Sequence, residues 1–251
     1  MGGHSNKYPS CAKPRPLCVI TISMSDIKKL SSEDIGYAAA KAGLGSIPIV
    51  GALASEILGL IITPPLEKRR QKWMTEVGDK LKQLEDQDKI DLTTLASNEQ
   101  FIDAVLIATS LAIKTCEDEK IKAFQNAILN TALGESPDKT KVQIFLTLLD
   151  NFTIWHIKIL HFINNPKKWF ADANIEPPRM LMGSLSSVLK RAFPELQGQT
   201  ELTDVIWRDL HDSGLHRTSD LKTSMSSDAL LANRASDLGK EFLKFITEPE
   251  M

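Results

Sequence analysis

The 251 residues are 42% hydrophobic and 25% charged, enough apolar mass for a sizeable core and for two small domains. A formal net charge of −2 gives no global attraction to nucleic acid or to an anionic membrane, so any basic function has to be local. Three cysteines, without His or Cys neighbours at zinc spacing, make neither a disulfide framework nor a metal site and fit a reducing compartment.

Residues 1–23 are rich in Gly, Pro and Ser and read as a disordered extension. The apolar run 17–22 is too short for a signal-peptide core and lacks a cleavage site, and Asn6 stands where a myristoylation signal needs Ser or Thr. Met24-Ser25-Asp26 reads as a natural start, which makes 1–23 an upstream addition; N-terminal sequencing that finds Met1 or Gly2 would end that reading. Ser31 or Ser32 caps a helix through Ala42, and Gly43 and Gly45 break it.

Residues 44–63 are uncharged except for Glu56. On a helical wheel Gly51, Ser55, Gly59 and Thr63 share a face of small residues, which lets another helix approach closely, with Glu56 beside them. A helix from Ile49 to Ile62 is only about 21 Å long, short for a bilayer. A central carboxylate costs about 2.5 to 3.5 kcal/mol on insertion, so Glu56 calls for a buried partner, a proton or an interfacial position. The segment therefore reads as an apolar hairpin helix, either buried in a soluble core, inserted peripherally or inducibly in a membrane, or spanning one. Pro64-Pro65 is expected to end it, with a polar helix following from Leu66 to about Asp86. Lys68, Arg69, Arg70 and Lys72 lie on that helix, either as a solvated face or in contact with phospholipid phosphates.

Helical periodicity continues. Ser97 with Glu99 and Gln100 opens a helix with Phe101, Val105, Ala108, Leu111 and Ala112 on one face. The next places Ile121, Phe124, Ile128 and Leu129 together and stops at Gly134. One long helix over 138–164 buries Val142, Phe145, Leu149, Phe152, Ile159 and Leu160 and stops near Pro166. Residues 24–165 thus make an N-terminal helical bundle. Beyond it, a helix is expected from Pro177-Pro178 to about Phe193, and another over 200–215 with Val205, Ile206 and Leu210 inward. Short strands at 221–225 and 229–232 and a final helix over 235–246 follow. That order reads as a winged-helix-like module over 166–251.

Chemical motifs are few. His156 with His161, and His211 with His216, are five residues apart and so do not share a helical face as a metal pair would; His156 reads as a packed helix residue. Ser187-Val188-Leu189-Lys190 matches a Ser-x-x-Lys pattern, but the companion motifs are crowded into too short a stretch to build a penicillin-recognising site. The glycines at 43, 45 and 51 follow a helix and are no phosphate loop. If the tail bound a nucleic acid, Arg208, Arg217, Lys222 and Arg234 would be the residues to touch it. The helix around Arg208 also carries Glu201, Asp204, Asp209 and Asp212, and acidic helices repel phosphates.

Several runs resemble a recurrent bacterial helical family to which no activity is attached: PPLEKRRQKW at 64–73, EKIKAFQNAILN at 119–130, FLTLLDNFTIWHIKIL at 145–160 and DLGKEFLKFI near the end. The likeness covers about residues 40–247 and implies a bacterial origin and a shared fold. An apolar helix ahead of a helical bundle is also similar in layout to membrane-targeting bundle effectors of bacterial and fungal defence, an analogy that does not fix function.

The expectation is a mainly α, non-enzymatic protein without cofactor or small-molecule substrate. It is cytoplasmic or at the inner membrane, associating with an anionic membrane through 44–63 and the basic stretch, and with a protein partner or itself through the C-terminal module. A winged-helix DNA-binding regulator and a helical scaffold with no membrane role are the alternatives.

Overall fold

The computed structural model describes residues 49–249, with backbone alone for 49–62 and Pro64. Two units meet between Ile62 and Thr63, and each is taken by itself. In the first, only the helical backbone from Ile49 is described. The readings on 1–48, and the side chains of Gly51, Ser55, Glu56 and Gly59, lie outside the described residues.

Helix α1 (Ile49–Asp86) contains Pro64 and Pro65 rather than ending before them. The expected break is corrected here: proline's fixed φ is itself helical, and the missing donor imposes a cost of about 3 kcal/mol rather than a prohibition. From Thr63 onward, Trp73, Val77 and Leu84 turn inward. After a single turn, α2 (Leu92–Leu95), the chain enters α3 (Glu99–Ala112), whose first turn is closed by Asn98, one residue later than expected; its side-chain oxygen accepts from Phe101 N–H. Arg69 reaches the Ile113 carbonyl at 3.5 Å, and Trp73 Nε1 donates to Thr109 Oγ1 at 3.0 Å, so α1 and α3 run antiparallel.

Helix α4 (Asp118–Ala132) ends at Gly134, whose φ of +72° is the left-handed value the C-cap position favours. The single helix expected over 138–164 is two, α5 (Lys139–Asn151) and α6 (Ile154–Asn164). Phe152 between them is extended, with ψ at 139°, and Thr153 starts afresh. At the break the Phe152 ring packs edge-on to Phe242. Pro166 does not merely end a helix; it is the first residue of another, α7 (Pro166–Asp172), capped by Asn165.

In the C-terminal part, the helix expected from Pro177 begins only at Leu185. Residues 177–181 are irregular, β1 (Met182–Gly183) follows, and Ser184 caps α8 (Leu185–Ala192). A 3-10 turn (Pro194–Leu196) leads to α9 (Thr200–Asp212). The strand expected at 221–225 shrinks to β2 (Met225–Ser226), and the first half of the one expected at 229–232 falls on a helical turn, α10 (Ser227–Leu230), before α11 (Asp237–Ile246). β1 and β2 pair antiparallel, Met182 opposite Ser226, and a lone bridge joins His216 to Ala235. The described residues are thus mainly helical.

The core joins α4, α5, α6 and α11. Phe145 packs against Phe242 at 5.3 Å and Phe245 at 5.8 Å between ring centres. Two polar residues on α4 complete the joint: Asn126 donates to the Ile246 carbonyl at 3.1 Å, and buried Asn130 donates to the Phe245 and Thr247 carbonyls at 2.9 Å. They satisfy the carbonyls a helix C-terminus leaves without partners. At the other end of α11, Ser236 bonds the Gly214 and Leu215 carbonyls. Gly239 lies so close that a Cβ there would stand 2.2 Å from the Leu215 oxygen.

Candidate functional site

Helix α9 is gripped on its inner side. Thr203, Ile206, Trp207 and Leu210 are buried, and Trp207 Nε1 donates to the Thr218 carbonyl at 2.7 Å. Beneath the indole, at 4.1 Å between ring centres, lies His216. Its Nδ1 accepts the Thr218 N–H at 3.2 Å, so its proton sits on Nε2 and is given to the Trp207 carbonyl at 3.0 Å. Burial lowers this imidazole to about 4, against the Trp207 hydrogen bond and with smaller repulsions from His211 and Arg234. On α6, the N–H and hydroxyl of Thr153 lie 3.1 and 2.9 Å from Nδ1 of buried His156, whose Nε2 faces Asp209 of α9 at 3.3 Å. This is a capping box with histidine in the usual glutamate position, covered by the stacked Phe152 ring. Burial lowers the His156 pKa too, with Asp209 opposing.

Val205 points the other way from the expectation: it is 47% exposed, and Leu202 beside it is 44% exposed. The buried stripe at 203, 206, 207 and 210 sets the inner face of the helix and leaves Val205 outside it. Glu201, Arg208, Asp209 and Asp212 share this outer face. The result is a small apolar patch with three carboxylates and one guanidinium around it.

The residues considered for nucleic acid are placed differently from one another. Arg217 is paired with Asp237 at 3.2 Å and Lys222 with Asp204 at 2.7 Å. Arg234 is turned inward, with Nη1 donating to Thr218 Oγ1 at 3.2 Å and Nη2 to the Ala229 carbonyl and Met225 Sδ. Arg208 is exposed without an ion-pair partner among the described residues. In the basic stretch of α1, Arg69 is spent on the end of α3 and Lys72 on Glu76 at 3.7 Å, while Lys68 and Arg70 are exposed and have no ion-pair partner among the described residues.

No family model matches the chain, and neither a curated protein nor a solved structure does.

No group of three or more His, Cys, Asp or Glu among the described residues could hold a metal ion. The rings of His211 and His216 are 5.5 Å apart, but both nitrogens of His216 are already engaged. No helix among the described residues is long and apolar enough to cross a membrane. Beside α7 runs an open groove of about 460 Å³ lined by Phe170, Ile175, Pro177 and Leu231, with Lys167 and Glu176 at its rim. A few residues beyond Pro177 comes the apolar triplet Met180 to Met182, expected as helix and found outside one. The prolines before it and Gly183 after it were the available signal.

Proposed function

We propose that the protein is a non-enzymatic interaction protein whose C-terminal part docks a protein partner through the outer face of α9. The observation that carries this is the Leu202–Val205 patch set among Glu201, Asp209 and Asp212. Such a face selects an apolar surface with a basic rim and disfavours phosphate. The order β1, α8, α9 and the bridged return at His216 and Ala235 supports reading this part as a winged-helix variant. Its helix in the recognition position has become a protein contact, because the neighbouring cations are tied to Asp237 and Asp204 or turned inward. A photo-cross-linking residue at 205, in cells, gives specific adducts that disappear with L202D on the same chain and are absent from position 80. No adduct at 205, or strong salt-dependent DNA binding in fluorescence anisotropy, overturns the reading.

A second contact concerns the segment around α1. The exposed Lys68 and Arg70, without ion-pair partners among the described residues, follow the apolar stretch 44–63, the arrangement suited to anionic headgroups of a bacterial inner membrane. Flotation with phosphatidylglycerol vesicles tests it: K68E with R70E weakens binding, and unchanged binding removes those residues from the contact.

A further inference from the structure

The most exposed large apolar side chain among the described residues is Leu181, at 93%, with Met182 beside it at 67%. Neither is on a floppy end. Met182 is paired with Ser226 across β1 and β2, and Met180, half-buried, folds back over Gly183 and Leu230 so closely that a Cβ on Gly183 would stand 2.8 Å from its methyl carbon. The fold thus spends a β-bridge and a methionine anchor on keeping two apolar side chains outward, where a soluble surface gains nothing from them.

The surroundings say what they face. Between 166 and 193 stand five cations, Lys167, Lys168, Arg179, Lys190 and Arg191, against two carboxylates, Asp172 and Glu176, in a chain whose overall charge is negative. Arg191 Nε holds the Glu176 carbonyl at 3.1 Å, and Arg179 reaches the Glu176 carboxylate at 3.1 Å, so both guanidinium groups gather at Glu176, five residues before Leu181; Lys167 lines the same groove as Glu176. Lys167 and Lys190 have no ion-pair partner among the described residues. An exposed apolar pair within a stretch rich in cations is complementary to a soft apolar phase under an anionic surface, whereas a protein partner would need a matching pocket.

We infer that Leu181 and Met182 form a membrane-docking tip that inserts at the headgroup boundary of an anionic bilayer, with Lys167 and Arg191 on the lipid phosphates. This contact is separate from α9 and from Lys68 and Arg70, and it lies on residues the sequence reading assigned no role.

The test is flotation of the full chain with vesicles of phosphatidylcholine alone or mixed with phosphatidylglycerol. The wild-type protein binds the mixed vesicles, and L181D with M182D lowers the partition coefficient about tenfold or more, equivalent to about 1.4 kcal/mol. Because both side chains are outside the core, the thermal midpoint of that variant stays at the wild-type value. K167E weakens binding to the mixed vesicles alone. In a separate L181W variant the added indole shifts its emission to the blue on binding. No wild-type binding to mixed vesicles, or L181D/M182D binding like wild type, overturns the tip; in the latter case, loss of binding in K68E/R70E leaves the α1 contact standing. Conversion of a dimer to a monomer by L181D/M182D also overturns it, since the tip would then be covered by a second copy.

Discussion

Two regions treat their polar and apolar side chains in opposite ways. Where α4 meets α11, polar Asn126 and Asn130 are drawn inward to hold carbonyls among phenylalanines. On α9 and at the 180–182 tip, apolar Leu202, Val205, Leu181 and Met182 are held outward among charges. The first arrangement closes every hydrogen bond of a helix end and offers nothing to a partner. The second leaves apolar surface in water on rigid supports, which is what a contact surface requires. What distinguishes joint from contact surface is thus where each residue type is placed, not composition.

That contrast can be broken from the joint side first. G239A forces a methyl group against the Leu215 carbonyl, and because the obstacle is backbone, α11 must shift as a whole; a loss of about 3 kcal/mol in urea unfolding is expected. Acid comes next. His216 titrates near 6.5 in the unfolded chain and at about 4 in the fold, so on acidification the unfolded chain takes up the proton first. Its contribution is complete above pH 6.5 and is lost as the pH falls from 6.5 towards 4, by about 2 to 3 kcal/mol, and His156, lowered in the same direction, adds to it. Urea midpoints measured across that window should fall steeply for the wild type and less so for H216Q. N130A leaves carbonyls at the end of α11 without their donor and should lose about 2 kcal/mol in the same assay. The smallest effect sharpens the comparison: L202D with V205D, on the outer face, should change stability by less than about 0.5 kcal/mol while abolishing the α9 cross-link.

The helices were legible where one periodic stripe had one solution. Phe101, Ala108 and Ala112, then Val142, Phe145 and Leu149, are buried as the 3.6-residue repeat demands, and Gly134 ends its helix. Legibility failed where a local signal had two outcomes. Thr153 looked like one more position in a continuous apolar helix, since its capping partner is a histidine rather than a glutamate. Val205 and Ile206 offered two possible inner faces, and the choice fell to Trp207 and its bond to Thr218. Asn126 and Asn130 drew no reading at all, because nothing local reveals that the carbonyls they hold arrive from over a hundred positions away. Of the candidate surfaces, the acidic character of α9 was readable. The outward pair on it was not, and neither was the tip, where two prolines suggested a helix start and the chain instead stays irregular as far as β1.

The long reach of those two asparagines has a consequence for biosynthesis. The carbonyl that Asn126 holds lies 120 positions further along the chain, so a nascent polypeptide emerging from the ribosome shows the unfilled side of α4 until α11 has been translated. Loop closure over that span makes this helical protein pay an entropic toll more usual in β topologies. During synthesis, the face waiting for α11 is the surface a chaperone would find.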